Sequence, residues 1–268
     1  MIQQIENDRK GLIIGGVLGA LALTVLSVGF PGVAEAGAAG DFTRAGVLIG
    51  ADDDNQDNPL VQPGDSGINQ SLDNADVLEG QDGPDILIGL LGSDLLSGGS
   101  DDDILIGGPE AFVAPNKDII LGGSGNDINI WAPGDGSDAF IGGEGDFDAQ
   151  VFGVIDRDGD GVPILTPSDV RRRTGIPTAE VTHQGGFCTL EKVDRGETGY
   201  DYFVRFTTFS DGLLKVTIRL KDVEQLFCTS PNGGAITYAD LTAPTPVLEE
   251  VSLADVEKVN RVVARIIR

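Results

Sequence analysis

Histidine, methionine and tryptophan each occur once in these 268 residues, and cysteine twice. A single imidazole excludes the His-Glu-x-x-His zinc site, which needs two. With two cysteines besides, no soft-metal cluster of thiolates and imidazoles can be assembled. No Gly-x-Ser-x-Gly nucleophile elbow occurs either. Positive charge is also scarce: 18 Lys and Arg stand against 43 Asp and Glu, a net charge of −25. The deficit is local. Residues 41–160 hold 26 acids and 3 bases, whereas residues 161–268 hold 14 and 13. Such a field repels nucleic acid and anionic membrane surfaces. It also repels itself, so that half of the chain is expected to stay loose until cations neutralise it.

Long apolar runs are confined to one place. Arg9-Lys10 precedes Gly11–Phe30, followed by Pro31 and a small-residue stretch ending Ala34-Glu35-Ala36. A basic start, an apolar stretch and an A-x-A-like site make residues 1–36 a signal peptide that sends the remainder out of the cytoplasm. The 20 residues from Gly11 to Phe30 are also long enough to cross a bilayer. A retained anchor is therefore the competing reading, and membrane contact is expected only in that case. No second run is long enough for a membrane-penetrating toxin.

Glycine and aspartate, by contrast, are abundant and in phase. Asp76, Asp85, Asp94 and Asp103 are spaced nine residues apart. Asp85, Asp94 and Asp103 each end a Gly-rich turn, and all four are followed by a short aliphatic run, as in Gly80-Gln81-Asp82-Gly83-Pro84-Asp85-Ile86-Leu87-Ile88. Nine residues is neither a helical nor a strand period; it fits a turn plus a three-residue strand, the nonapeptide signature of a parallel β-roll. Alternation within such a strand sends only the middle aliphatic inward: Leu78, Leu87, Leu96 and Leu105. Two units make one coil of 18 residues, which stacks Asp76 near Asp94 and Asp85 near Asp103. Stacked carboxylates repel unless a cation lies between them. Carboxylates and turn carbonyls are the oxygen donors that Ca²⁺ takes, six to eight at a time.

On these residues the segment of about 73–152 resembles the RTX (repeats-in-toxin) hemolysin-type calcium-binding proteins. Further units read Gly89-Leu90-Leu91-Gly92-Ser93-Asp94, Gly98-Gly99-Ser100-Asp101-Asp102-Asp103 and Gly122-Gly123-Ser124-Gly125-Asn126-Asp127. Looser ones follow at Gly134-Asp135-Gly136-Ser137-Asp138 and Gly142-Gly143-Glu144-Gly145. Asp103 to Asp118 is 15 residues, nine plus a six-residue insertion near Pro109–Pro115, after Gly107-Gly108. The second glycine is replaced by Gln81 and Leu90, and Asn129 takes an inward aliphatic position. The resemblance implies Ca²⁺ as cofactor. It implies metal-site carboxylates at Asp76, Asp82, Asp85, Asp94, Asp101, Asp103, Asp118, Asp127 and Asp138. The main chain would contribute at Gly80, Gly83, Gly89, Gly92, Gly98, Gly99, Gly107, Gly108, Gly122, Gly123, Gly125, Gly134, Gly136, Gly142, Gly143 and Gly145. Binding energy would then be folding energy.

The remaining chain divides by composition. Residues 37–72 are acidic and Gly/Asn-rich and are expected to cap the open end of the roll, residues 73–155. Asp156, Asp158 and Asp160 with Gly161 open an EF-hand-type loop over 156–170, although its twelfth position is Pro167. Residues 171–246 alternate as β: Tyr202, Val204 and Phe206, a Ser210-Asp211-Gly212 turn, then Leu214, Val216, Ile218 and Leu220. Lys221–Phe227 and Ile236–Leu241 resemble the segment that often follows RTX repeats. Cys188 and Cys228 agree with an oxidising compartment and one disulfide; two buried thiols are the alternative. After Pro246 a helix is expected over 247–268, with a Ser252/Asp255 capping box and an apolar stripe of Leu253, Val256, Val259, Val263 and Ile266/Ile267.

The fold expected is mainly β, a parallel β-roll followed by a small antiparallel β module and a C-terminal helix. The function expected is that of a secreted, non-catalytic calcium-binding protein with a structural or adhesive role, its partners calcium and a cell-surface or matrix polymer. The competing class is a calcium-stabilised accessory domain of a secreted polysaccharide- or protein-modifying enzyme, whose paired carboxylates such an acidic chain could supply.

Overall fold

The computed structural model describes residues 47–49, 77–109, 117–159, 162–169 and 174–268. Residues 1–36, and therefore the expected leader, lie outside the described residues, as do Asp76, Asp160 and all of the expected 37–72 cap except 47–49.

Strand β1 (Val47–Ile49) is followed by four coils, each crossing from one parallel sheet to the other. Strands β2 (Val77–Asp82), β4 (Leu95–Ser100), β6 (Ile119–Ser124) and β8 (Ala139–Glu144) stack in one sheet. Strands β3 (Ile86–Ile88), β5 (Ile104–Ile106), β7 (Ile128–Trp131) and β9 (Ala149–Phe152) stack in the other, with β1 beside β3. The first coils align as the period requires, Val77 opposite Leu95 and Ile86 opposite Ile104. Both sheets then continue across the insertion, Leu95 opposite Ile119 and Ile104 opposite Ile128. The expected three-residue strand holds for β3 and β5. The strands of the first sheet are twice as long, because the glycine-rich start of each turn stays paired with the coil above.

Leu78, Leu96, Ile120 and Phe140 meet Leu87 and Leu105 in the dry space between the sheets. Asn129 and Gln150 follow in the same inward row, and Asn129 Nδ2 donates to Gln150 Oε1 at 2.8 Å. The middle aliphatics point between the sheets as expected, but the outer side of the second sheet is covered too. Ile86, Ile88, Ile104, Ile106, Ile128, Ile130 and Val151 are also buried, under a third layer that includes Ile155, Ile176, Val181, Val256, Val263 and Ile266. On the first sheet the corresponding row stays bare: Val77, Leu95 and Ile119 are 47%, 36% and 49% exposed.

The C-terminal part grows out of the roll rather than standing apart. Strands β10 (Val154–Ile155) and β13 (Ala179–Glu180) pair, as do β11 (Leu165–Asp169) and β12 (Thr174–Pro177). Then come β14 (Gly186–Lys192), the short helix α1 (Arg195–Thr198), β15 (Tyr202–Thr208), β16 (Leu214–Lys221), β17 (Gln225–Thr229) and β18 (Ile236–Asp240). Strand β16 pairs parallel with β8 and β17 parallel with β9, so these two form one more coil, with Leu220 and Leu226 buried inside it. Beyond them the pairing turns antiparallel, through β15 and β14 on one sheet and β18 and β19 (Glu249–Val251) on the other. Trp131, Phe152 and Phe206 close this end of the interior with centroids 4.9–6.2 Å apart. Cys188 on β14 and Cys228 on β17 are joined in a disulfide, Cα to Cα 6.1 Å, that ties the two sheets together.

The tail is not the single helix expected. It starts as β19, forms α2 (Leu253–Val259) with the expected Ser252/Asp255 capping box, and breaks at Asn260 before a one-turn α3 (Val263–Ile266). The break has a local cause. Asn260 Oδ1 accepts the N–H groups of Val262 and Val263, while its Nδ2 donates to Gln225 Oε1 at 2.9 Å. Val256, Val263, Ile266 and Ile267 are buried as the stripe demands, but Leu253 and Val259 face solvent.

Candidate calcium-binding site

Each coil turns twice, and the turns of successive coils stack into two edges. On the first edge, Asp85, Asp103, Asp127 and Asp148 form a ladder. The N–H of each donates to Oδ1 of the next: Asp85 to Asp103 at 2.7 Å, Asp103 to Asp127 at 2.9 Å, Asp127 to Asp148 at 2.7 Å. On the second edge, Asp94 donates to Asp118 at 2.8 Å and Asp118 to Asp138 at 3.0 Å. All seven carboxylates are buried. The pairs that the nine-residue phase stacks are therefore brought together; Asp76, the expected partner of Asp94, lies outside the described residues.

The first glycine of each turn is required by these carboxylates. A Cβ on Gly98 would stand 2.3 Å from Asp103 Oδ2 and 2.6 Å from the Gly122 carbonyl oxygen. Gly80, Gly89, Gly107, Gly122 and Gly142 face Asp85, Asp94, Asp118, Asp127 and Asp148 in the same way. Gly99, Gly108, Gly123 and Gly143 lie against main-chain carbonyls of the coil before, and Gly125 and Gly145 against the carbonyls of Asp101 and Gly125. Each turn thus presents a buried carboxylate oxygen within a cradle of main-chain oxygens that any side chain would fill. An all-oxygen, anionic donor set suits a hard divalent cation. Among the described residues no three acidic, histidine or cysteine side chains converge on one point, so most donors to any ion must be main-chain carbonyls.

Not every expected residue joins the ladders. Asp82 and Asp101 have exposed side chains, Asp82 accepting from Ser100 Oγ at 3.0 Å. Asp101 occupies a glycine position, at φ 76°. Gly83 and Gly92 are left-handed turn residues. Gly134 meets nothing within 4 Å, and Gly136 serves the Trp131 Nε1 donor through its carbonyl. Asp135 instead folds inward to accept the Ala132 N–H at 2.8 Å, near Arg157. Asp156 and Asp158 are drawn into a narrow hairpin with Val162 and Ile164. Asp158 Oδ1 accepts the Val162 N–H at 3.0 Å, and Asp156 pairs with Arg268.

Burial raises the Asp138 and Asp148 carboxyls to about 7 and the Asp135 carboxyl to about 6. At Asp148 the neighbouring acids Asp127, Glu224 and Asp102 push further up; at Asp138 the Arg219 guanidinium pulls back. Carboxylates held this way favour a bound proton or a bound cation.

Of the two acids that end the first ladder, Asp148 is already marked in the sequence by its spacing of ten from Asp138, whereas Glu224 was not singled out as a ligand. Asp148 closes a turn with one residue too many, Gly142-Gly143-Glu144-Gly145-Asp146-Phe147-Asp148. Glu224 lies in the module, yet its Oε2 accepts the Asp148 N–H at 2.9 Å and extends the first ladder. The signal was present: Glu224-Gln225-Leu226 repeats the acid-x-leucine spacing of Asp85-Ile86-Leu87.

Residues 72–109 and 116–128 match the RTX calcium-binding nonapeptide repeat, in four copies. No curated protein matches the chain, and no solved structure does. The turns within those residues are therefore RTX repeats, a class of module that binds Ca²⁺, is generally structural and is typical of extracellular proteins. Among the described residues no helix is long and apolar enough to cross a membrane.

Proposed function

We propose that this chain is a calcium-folded β-roll protein acting outside the cytoplasm, non-catalytic, with a structural or adhesive role. The observation that carries the proposal is the pair of buried carboxylate ladders. Asp85, Asp103 and Asp127 on one edge and Asp94, Asp118 and Asp138 on the other would hold the ions, with main-chain carbonyls of the glycine turns as the remaining donors. Bound Ca²⁺ supplies positive charge between coils that otherwise stack like charges, so that ion binding and folding are one event. The leader-like residues 1–36, the disulfide and the local acidity all support export to a compartment rich in free calcium. The bare Val77, Leu95 and Ile119 row supports an adhesive role toward a surface or matrix polymer.

The test is far-UV circular dichroism of residues 37–268 during calcium titration, with magnesium as control. A cooperative gain of β signal with calcium alone is expected. A spectrum indifferent to both calcium and EDTA would overturn the reading. Hydrolysis of a protein or polysaccharide by the purified chain would overturn the non-catalytic role and leave the roll intact.

A further inference from the structure

The two ladders end differently where the roll meets the C-terminal module. The second ends on a cation: Arg219 of β16 donates its main-chain N–H to the Asp138 carbonyl at 3.0 Å and its Nη1 to the Ser137 carbonyl at 2.9 Å. The first ends on another acid. Glu224 stands one coil beyond Asp148, and Asp148 is buried with its Oδ2 lacking any hydrogen-bond partner. That oxygen points into the last turn. A Cβ on Gly142 would stand 2.4 Å from it and 2.0 Å from the Asp222 carbonyl oxygen. Asp222 is itself held at φ 50° by a two-pronged contact from Arg195, at 2.7 and 2.9 Å. Arg195 thereby neutralises the Asp222 side chain and leaves its carbonyl facing the turn. Among the described residues no cation pairs with Asp148 or Glu224, while Asp127 and Asp102 add negative potential at Asp148 and Asp146 adds it at Glu224.

We infer that the module completes one further Ca²⁺ site at the end of the first ladder, with Asp148 and Glu224 as its carboxylates and the Asp222 carbonyl among its donors. The inference rests on the calcium-roll reading but goes beyond it, because Asp148, Asp222 and Glu224 all lie outside the matched repeats, residues 72–109 and 116–128. An uncompensated buried carboxylate is costly, and a cation there would join roll to module. Among the described residues the second ladder, closed by Arg219, has no equivalent pair of carboxylates at that end.

The test is a count of bound ions on the full chain, by equilibrium dialysis with radioactive calcium and by isothermal titration, comparing the native protein with Glu224→Gln and Asp148→Asn. Glutamine keeps an acceptor for the Asp148 N–H while removing the charge. Each variant is expected to bind one ion fewer, with the calcium-induced β signal of the repeats retained. An unchanged count and an unchanged weakest binding step in both variants would overturn the inference while leaving the roll standing. A native chain that binds no calcium would instead overturn the roll reading on which it rests. Should Glu224→Gln fail to fold, Glu224→Asp decides: a full count with a weakened last step supports the site, and an isotherm identical to the native one overturns it.

Discussion

The glycine cradle makes a graded prediction. In Gly98→Ala the new methyl group would lie 2.6 Å from the Gly122 carbonyl oxygen and 2.3 Å from Asp103 Oδ2. Relief requires one coil to lift by about 0.8 Å on a strand spacing of about 4.8 Å, or Asp103 to leave the ladder. Overpacking of this kind costs about 1–3 kcal/mol, and unseating a buried carboxylate adds to it. In Gly134→Ala the methyl meets open space, but φ is +117°, so backbone strain alone costs about 1–2 kcal/mol. In Gly159→Ala neither penalty applies, and the change should stay within about 0.5 kcal/mol. Urea unfolding in saturating calcium and in EDTA would rank the three. Gly98→Ala alone should also weaken calcium binding, because only its methyl evicts a ladder carboxylate. Equal destabilisation by Gly98→Ala and Gly159→Ala, or an unaltered calcium isotherm for Gly98→Ala, would refute the reasoning.

Gln81 sits, exposed, at φ 73° where other coils have glycine, so Gln81→Gly should raise stability by about 1 kcal/mol if strain relief outweighs added chain entropy, whereas Leu90→Gly, at φ 72°, should destabilise because it also removes a buried side chain; thermal unfolding measures both. Asp138 and Asp148 hold their protons to about pH 7 when folded but release them near the ordinary carboxylate value when unfolded. The folded state therefore binds more protons in that window, and calcium-free stability should fall as pH rises from about 4 to 7. A melting temperature in EDTA that climbs over the same range would contradict this. Reducing the Cys188–Cys228 disulfide, which spans a sequence separation of 40, should cost about 4 kcal/mol by loop entropy, read as a lower denaturant midpoint with and without dithiothreitol.

What could be read in the sequence is what repeats. The phase of Asp85, Asp94 and Asp103 with Leu87, Leu96 and Leu105 specifies coil length, inward face and ladder together, because one backbone geometry imposes all three. The burial of Ile86, Ile88, Ile104 and Ile106 on their outer side was less legible. Their partners, Ile176, Val181, Val263 and Ile266, lie far along the chain with no shared period. An asymmetry hinted at it: β3 and β5 read Ile-Leu-Ile, whereas β2 and β4 turn polar after the second residue. At the EF-hand-like pattern the side chains of two acids already have partners within the chain, Asp158 Oδ1 accepting the Val162 N–H and Asp156 pairing with Arg268. Asn260 broke the tail helix through side-chain bonds that no apolar stripe reveals.

The switch from parallel to antiparallel pairing beyond β16 and β17 gives the molecule a polarity of assembly. A parallel coil offers the next coil an identical template and can in principle be lengthened without limit. Beyond β16 and β17 the sheets run out through hairpins to β14 and β19, whose charged residues Glu191, Lys192, Glu249 and Glu250 discourage a docking strand. Among the described residues, the edges that still display the repeat geometry are β1 and β2. Among the described strands, end-to-end joining that continues the repeat geometry would have to use that single end, which joins two chains head to head rather than in a row.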